Sequence, residues 1–185
     1  MNFRILCYDT LNSTNNQARL FAERGAKQGT VISAEYQTQG RGRFKRRWFS
    51  RRGKDLLFSI ILRPKFRLNF VSIITHITAL AIRDLLREEF HLPAKLKRPN
   101  DVLIDSQKVA GVLTEASSRS DRLEYLIVGV GLNVNSKPGE IPKRATSIFN
   151  RTKKQAERKT LLQDFLVLFS KYYRGLSVDR RFGKP

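Results

Sequence analysis

The sequence predicts an α+β fold in which helices cover a mixed β-sheet. Residues 124–135 alternate in period two, which places their leucines and valines on one face of a strand. Residues 56–62 are nearly all apolar, as is typical of a central strand covered on both faces. Residues 69–90 repeat their apolar positions at helical spacing. With 185 residues, 41% of them hydrophobic, the chain is long enough for one domain with its own core.

The N-terminal part is predicted to run strand, helix, strand. Residues 3–8 form a short strand, residues 18–24 a helix that Gly25 ends, and residues 30–36 a second strand. A polar cluster before the helix supplies its candidate N-caps, which are Ser13, Thr14 and Asn15. A helix N-terminus with hydroxyl and amide groups also suits a polar ligand, so capping and ligand binding are both open.

A basic stretch at residues 37–48 lies between two predicted strands. Gly40 and Gly42 allow the backbone to turn sharply or to approach a ligand closely. Forked donors suited to phosphate or carboxylate are supplied by Arg41, Arg43, Arg46 and Arg47. Composition alone leaves two interpretations open, a solvated basic loop and an anion-binding loop.

The middle of the chain is predicted to form a hairpin with polar and charged side chains near one end. Short strands at 95–97 and 102–104 are followed by a turn and a strand at 108–115. The side chains near its end are Lys97, Asn100, Asp101 and Lys108, for which a surface salt-bridge cluster is the alternative. Gly111, in mid-strand, marks a bulge or a close approach by a ligand or another backbone.

The strand at 124–135 presents Gly129, Gly131 and Asn133 on the face away from its apolar side chains. A face with so few side chains predicts a flat ligand lying against the backbone, with Asn133 as its hydrogen-bonding group. A short turn near residues 147–149 and an amphipathic helix at 159–175 complete the prediction.

Composition excludes several classes of protein. No apolar run reaches the roughly 18 residues of a membrane span, and no signal-peptide pattern is present. One cysteine and two histidines do not provide a Cys/His zinc site or a nucleophile with its base, and there is no Walker-type phosphate loop. The lone Cys7 is typical of the reducing cytoplasm, where we expect the protein.

The net charge of +20 favours an anionic partner. Clustered arginines and lysines, a well-placed aspartate and glycine-lined backbone suit a reaction driven by positioning and charge neutralisation. Attack of a carboxylate on the α-phosphate of a nucleotide is such a reaction.

A set of short motifs resembles, in order and spacing, the catalytic domain of the biotin protein ligases over about residues 5–176. The motifs are Ser13-Thr14-Asn15, Gly29-Thr30, residues 37–43, Trp48, Lys97 with Pro99-Asn100-Asp101, Lys108 with Gly111, and Gly129-x-Gly131-x-Asn133. The resemblance implies the fold of biotin and lipoate ligases, which is similar to class II aminoacyl-tRNA synthetases. It also implies the activity of a biotin–[acetyl-CoA-carboxylase] ligase: biotin and ATP form biotinyl-5′-AMP and pyrophosphate, and biotin then moves to a lysine of a carrier protein.

The resemblance also implies roles for single residues. Those for biotin are Ser13, Thr14, Asn15, Gln37, Arg41, Gly42, Arg43, Lys108 and Gly111. Those for ATP and the adenylate are Arg41, Arg43, Trp48, Lys97, Asn100 and Asn133. Catalytic roles fall to Arg43, Lys108 and Asp101, and Mg²⁺ ligation to Asp101 and Asn100. Residues 41–43 resemble a loop that folds over the adenylate and shields it from water, and a core anchor is the alternative role for Trp48.

The sequence departs from the family pattern at two positions and in its extent. Arg98 stands where the family has tryptophan, and Lys45 where a further glycine is usual. We expect residues 1–176 to be the catalytic domain and 177–185 a basic tail, without the winged helix of repressor members or the C-terminal barrel of most members. The expected absence of the barrel bears on nucleotide affinity and carrier selection.

The partners implied are biotin, ATP with Mg²⁺ and an acidic biotin carboxyl carrier domain. A membrane partner is not expected, and a homodimer stays open. Three alternatives are a lipoate or octanoate transferase, a biotin-binding pseudoenzyme and a basic nucleic-acid-binding protein. The last is disfavoured because we see no stacking surface of aromatic residues among the basic ones.

Overall fold

The structure, a computed structural model, describes residues 1–64, 71–119 and 122–178. The strands are β1 (Arg4–Leu11), β2 (Thr30–Gln37), β3 (Leu56–Leu62), β4 (Lys95–Lys97), β5 (Asp101–Ile104), β6 (Gln107–Arg119) and β7 (Arg122–Leu132). The helices are α1 (Thr14–Glu23), α2 (Val71–Phe90), α3 (Ile148–Thr152) and α4 (Arg158–Val178). Among the described helices, none is both long and apolar enough to cross a membrane.

The seven strands form one sheet in the order β1-β2-β3-β7-β6-β5-β4. β1 and β2 are parallel, whereas every other neighbouring pair is antiparallel. The predicted mixed sheet is therefore confirmed. β3 lies between β2 and β7 with all its residues buried, which explains its continuous apolar sequence.

One face of the sheet is covered by α2 and α4, which pack on each other. Phe58 of β3 meets Phe165 of α4 edge to face, with ring centroids 5.0 Å apart. The side chains that β7 was predicted to turn toward the core, from Leu126 to Val134, are all buried in this cluster. Burial of a side chain of this size contributes about 1.5–3 kcal/mol, so this face supplies most of the hydrophobic stabilisation.

The other face is covered by α1, which packs on β2, β3 and β7. Ala18 and Ala22 bring the helix close to the sheet, where they meet Ile32, Ile61 and Ile127. The core on this side is much smaller than the α2–α4 core, and further along β7 the same face carries Gly129 and Gly131.

α1 begins earlier than predicted, at Thr14, and its cap differs from the expectation. Ser13 occupies the N-cap position, but its side chain makes no capping bond. The N–H of Thr14 instead donates to Oε1 of Gln37 at 2.7 Å, so a side chain at the end of β2 satisfies the helix terminus. Gly25 follows the helix with a φ of 84°, as predicted for its C-terminal stop.

The predicted hairpin and C-terminal helix are confirmed, with starts within one residue of the prediction, but β6 ends four residues and α4 three residues later than predicted. Asp105 and Ser106 form the turn from β5 to β6 with φ values of 45° and 66°. The predicted start of the long helix at residue 69 lies outside the described residues, as do positions 179–185 of the predicted tail. Within the described chain, α4 continues to Val178.

Candidate active site

A cavity of about 360 Å³ opens beside α1, bounded by the start of that helix, the end of β2, the β4–β5 hairpin and the middle of β6 and β7. The basic loop, defined here as residues 40–48, forms one side. All residues predicted for biotin, ATP, catalysis or metal line it, with the exception of Asn133. Further lining residues are Phe44, Arg46, Arg47, Arg98, Pro99, Val112, Leu113, Gly129, Val130 and Gly131.

The neutral wall of the cavity consists of Ser13, Thr14, Asn15 and Gln37, and hydrogen bonds from the sheet hold it in place. Oε1 of Gln37 accepts from the N–H and the hydroxyl of Thr14, at 2.7 and 3.1 Å. Oγ of Ser59, on the buried β3, lies 2.8 Å from Oγ1 of Thr14 and 2.6 Å from Oδ1 of Asn15. These bonds hold the side chains of Thr14, Asn15 and Gln37 in place without a ligand.

Gly129 makes room for the neutral wall. A Cβ atom at this position would lie 2.0 Å from Oδ1 of Asn15, so the asparagine packs directly on the backbone of β7. Nδ2 of Asn15 donates to Oε2 of Glu115 at 2.7 Å and to the carbonyl of Leu113 at 3.3 Å. The first glycine of the predicted ligand face therefore accommodates a side chain of the protein itself.

Gly131 is covered by Trp48, since a Cβ there would lie 2.4 Å from Cε2 of the indole. The prediction that a flat ligand lies directly on this glycine face is corrected: the flat group is the protein's own tryptophan. Trp48 ends the basic loop, and its backbone N–H donates to the carbonyl of Gly40 at 2.9 Å. Its indole Nε1 is buried and has no hydrogen-bond partner among the described residues.

Lys108 joins Trp48 to the hairpin. Its Nζ lies 2.7 Å from Oδ1 of Asp101 and 5.3 Å from the centroid of the indole. A Cβ at Gly111 would come within 2.9 Å of the same Nζ and 3.1 Å of the indole ring. The close approach predicted at Gly111 is thus made by the side chains of Lys108 and Trp48.

The cationic set of the cavity consists of Arg43, Arg46, Arg47, Lys97 and Arg98. In the described parts of the chain none of them forms an ion pair, whereas Arg41 is paired with Glu115 and Lys108 with Asp101. The hydrogen bond from Arg43 to Oδ1 of Asn100 is long, at 3.5 Å. Like charges gathered around one cavity repel each other and attract a polyanion.

The two predicted Mg²⁺ ligands do not fit a metal site held by the protein. Oδ1 of Asp101 lies against Nζ of Lys108, and Oδ1 of Asn100 faces Arg43. Hard cations need oxygen atoms that are not already directed at a positive charge. No cluster of three or more His, Cys, Asp or Glu side chains occurs within residues 1–64, 71–119 and 122–178.

Asn133 does not line the cavity, which corrects its predicted place beside Gly129 and Gly131. β7 ends at Leu132, so the period-two alternation does not extend to Asn133. Its side chain is 3% exposed and donates to the carbonyl of Thr146 at 2.9 Å. Asn133 braces the segment that leads into α3.

Sequence reasoning missed two polar residues that support the site, Ser59 and Glu115, and a buried carboxylate outside the cavity lining, Asp55. A single serine within the apolar β3 was a usable signal for the first, whereas nothing near Glu115 distinguishes it from a surface residue. Asp55 is fully buried, and its carboxylate accepts from the N–H of Val134 and the hydroxyl of Ser136, at 3.1 and 2.9 Å. Burial raises the pKa of the Asp55 carboxyl, partly offset by these bonds.

The expectation of no stacking surface of aromatic residues among the basic ones is also corrected. Phe44 is 79% exposed at the rim of the cavity, and the guanidinium of Arg43 lies 4.9 Å from its ring centroid. Phe49 is half exposed, with Arg47 at 5.3 Å. Phe44 also adopts a φ of 56°, a left-handed conformation that is uncommon for a bulky side chain.

Comparison with known proteins places this geometry among ligases. The model of the Biotin/lipoate A/B protein ligase family matches residues 8–133. The bifunctional ligase/repressor BirA of Bacillus subtilis is 35% identical over 178 residues, 94% of this chain and 55% of that protein. The biotin–[acetyl-CoA-carboxylase] ligase of Mycobacterium tuberculosis is 34% identical over 146 residues, 75% of this chain and 52% of that protein.

Among solved structures, the biotin protein ligase from Aquifex aeolicus in complex with biotin and ATP superposes with a TM-score of 0.81. It is 34% identical, and the match covers 94% of this chain and 71% of that one. The chain spans about half the length of the curated relatives it matches.

Proposed function

The chain belongs to the Biotin/lipoate A/B protein ligase family, and from this premise we propose that it is an ATP-dependent biotin protein ligase. It would form biotinyl-5′-AMP from biotin and ATP and transfer biotin to a lysine of a carboxyl carrier protein. The single observation that carries the proposal is one cavity lined by a hydrogen-bonded neutral wall, by Lys108 and by the cationic set, which has no ion pair within the described residues.

The two parts of the cavity match the two chemical parts of the proposed substrates. The hydroxyl and amide groups of Ser13, Thr14, Asn15 and Gln37 suit the uncharged ureido ring of biotin. The cationic set suits the triphosphate of ATP. Lys108 would then face the reacting carboxylate and α-phosphate, and Trp48, with its unsatisfied N–H, would lie beside the adenylate.

In the first step a carboxylate oxygen of biotin attacks the α-phosphorus of ATP. The bond from that phosphorus to the bridging oxygen breaks, and pyrophosphate leaves with the electron pair. Lys108, positioned by Asp101 at 2.7 Å, neutralises the charge that develops on the α-phosphate. Arg43 holds the phosphates in line for the attack. Mg²⁺ enters this proposal only as the counter-ion of ATP, because the residues present do not fit a protein-held ion.

In the second step the amine of the carrier lysine attacks the acyl carbon of the mixed anhydride. AMP leaves with its electron pair, and the amine loses a proton. Water would compete for the same carbon, so we assign to residues 41–43 the role of covering the intermediate until the carrier arrives.

The carrier is proposed to be an acidic domain, because the charge of +20 raises the encounter rate with an acidic partner in a salt-dependent way. A transfer rate that does not change with ionic strength would contradict this part of the proposal. We place the reaction in the cytoplasm, which the single cysteine favours.

The test is pyrophosphate release by the purified protein with ATP and Mg²⁺, in the presence of biotin, lipoate or neither. We expect release only with biotin, and a fall of roughly 1,000-fold in Lys108→Ala because a group that stabilises the transition state is removed. Lys171→Ala, which removes an exposed lysine on α4, is the matched control and should keep full activity. Release with lipoate instead would transfer the proposal to lipoate chemistry. Biotin binding without release would indicate a pseudoenzyme.

A second candidate, single-stranded nucleic acid binding, is favoured by the two arginine–phenylalanine pairs of the basic loop region. It leaves the neutral wall without a function. Anisotropy of a labelled oligonucleotide, with and without ATP and biotin, separates the two: a ligase site should release any bound oligonucleotide when its substrates are added.

A further inference from the structure

Glu115 is a charged residue of β6 that connects the basic loop to the body of the protein. We propose that it is a positioning residue that latches the loop closed over the cavity through Arg41. The latch itself follows from the geometry. Its consequence, retention of the acyl-adenylate, rests on the proposed function.

Three elements meet at the carboxylate of Glu115. Oε2 accepts from Nδ2 of Asn15, at the start of α1, at 2.7 Å. Oε1 lies 3.3 Å from a guanidinium nitrogen of Arg41, in the basic loop, and 3.4 Å from one of Arg19, on α1. The same nitrogen of Arg41 also donates to Oδ1 of Asn16 at 2.7 Å. The loop is thereby tied to both the helix and the sheet.

The negative charge of Glu115 matters because the arginines of the basic loop repel one another. Arg43, Arg46 and Arg47 have no ion pair within the described residues, so nothing else on the loop side of the cavity offsets their charge locally. The side chain of Glu115 is 24% exposed and that of Arg41 38% exposed, so water screens their ion pair in part.

Other contacts hold the loop's shape more than its position. The N–H of Gly42 donates to the carbonyl of Arg46 at 2.7 Å, and the N–H of Trp48 to that of Gly40 at 2.9 Å, both within the loop. Trp48 anchors the far end of the loop on Gly131. Arg41 is the matching attachment at the near end, and because Arg41 and Gly42 line the cavity, release of this end would open it to water.

The first experiment measures hydrogen exchange of the amides of residues 40–48 in the ligand-free protein. Glu115→Gln keeps an acceptor for Asn15 but removes the charge that faces Arg41 and Arg19. We expect exchange in the loop to accelerate at least about threefold, as a local opening becomes more frequent. Glu35→Gln, which breaks an ion pair of 2.7 Å with Arg158 away from the cavity, should leave the loop unchanged.

Arg41→Gln tests the same contact from the loop side. It provides a second measurement of the latch if Glu115→Gln folds poorly. It should accelerate exchange at least as much as Glu115→Gln, because it also removes the bond to Asn16, and the double variant should exchange no faster than Arg41→Gln alone, since both changes remove the contact between Arg41 and Glu115. Unchanged exchange in Glu115→Gln, or additive effects in the double variant, would overturn the latch.

The functional readout is the ratio of pyrophosphate released to biotin transferred to a carrier domain. In Glu115→Gln we expect this ratio to rise at least about threefold, because the adenylate is hydrolysed before transfer, while the KM for biotin changes little. An unchanged ratio would contradict the proposal that the latch retains the acyl-adenylate. If the wild-type protein releases no pyrophosphate with biotin, the proposed ligase function fails, and the exchange result still decides the latch.

Discussion

The two parts of the cavity are built in opposite ways. Ser13, Thr14 and Asn15 of the neutral wall are 2–4% exposed, and β2, β3 and β6 hold Thr14 and Asn15 through hydrogen bonds. The arginines of the cationic set lie on an exposed loop and hairpin, and none is ion-paired within the described chain. One part is fixed in advance by hydrogen bonds, whereas the other carries uncompensated charge.

This difference indicates two sources of affinity. A preorganised wall loses little conformational entropy when a ligand binds, so its affinity depends on shape and hydrogen-bond geometry. A set of repelling cations is relieved when an anion neutralises it, so its affinity depends on charge and is screened by salt. A substrate pair consisting of an uncharged ring and a triphosphate would use both.

Gly129→Ala should displace Asn15 from the neutral wall, and we expect it to reduce ligand affinity more than any other change considered in this comparison. The added Cβ would meet Oδ1 of Asn15 at 2.0 Å and displace it from both Ser59 and Glu115. We expect biotin affinity to fall by roughly 100-fold, measured by calorimetry, and the free energy of unfolding to fall by about 2 kcal/mol in urea.

Gly175→Ala on α4 is the matched control for this substitution. A Cβ there meets nothing within 4 Å, so stability should be unchanged or rise by up to about 1 kcal/mol with no change in biotin binding. Equal biotin affinity in Gly129→Ala and the wild-type protein would contradict the role of the neutral wall.

In the wild-type protein, ionic strength should affect ATP binding at the cationic set more than biotin binding at the neutral wall. This effect should be smaller than that of Gly129→Ala. Raising KCl from about 50 to about 300 mM shortens the Debye length, and we expect the Kd for ATP to increase roughly fivefold to tenfold. The Kd for biotin in the absence of ATP should change less than about twofold, because its contacts are uncharged hydrogen bonds. Equal salt sensitivity of the two ligands would remove the distinction.

The sequence was sufficient to predict the mixed sheet and the long helices, and every predicted site residue except Asn133 lines the cavity. The period-two pattern in β7 and the apolar run in β3 identify strands because each pattern follows directly from which faces of the strand are buried. What it did not predict depends on tertiary contacts. The occupants of the glycine face, Asn15 and Trp48, come from distant parts of the chain. Glu115 resembles a surface carboxylate until the fold brings Arg41 next to it.

The smallest expected effect concerns Asp55, a buried carboxylate outside the cavity lining. Burial is the main cause of the raised pKa of Asp55, so the folded chain binds this proton more tightly than the unfolded chain does. In the unfolded chain the pKa of an aspartate is about 3.9. Its contribution to stability therefore increases as the pH falls from neutrality toward that value, by about 1.4 kcal/mol for each unit of difference. Asp55→Asn should lose this slope, as followed by urea denaturation across acidic pH.

Two ionisable groups provide the comparison for this pH experiment. Asp9 and Glu157 are exposed, and hydrogen bonds lower the pKa of each, from Arg52 and from the backbone at Thr160 respectively. Their contributions have the opposite sign and weaken as the pH falls. A steeper acid loss of stability in the wild-type protein than in Asp55→Asn would contradict the sign assigned to Asp55.

Trp48 is the only tryptophan in the chain, and its indole forms part of the cavity wall between Gly131 and Lys108. The intrinsic tryptophan fluorescence of the protein therefore originates entirely from the candidate site. Its intensity and emission wavelength depend on the nearby ammonium group and on contact with water. The protein thus carries a built-in optical probe, with which ligand entry and loop closure can be timed by stopped flow without any label.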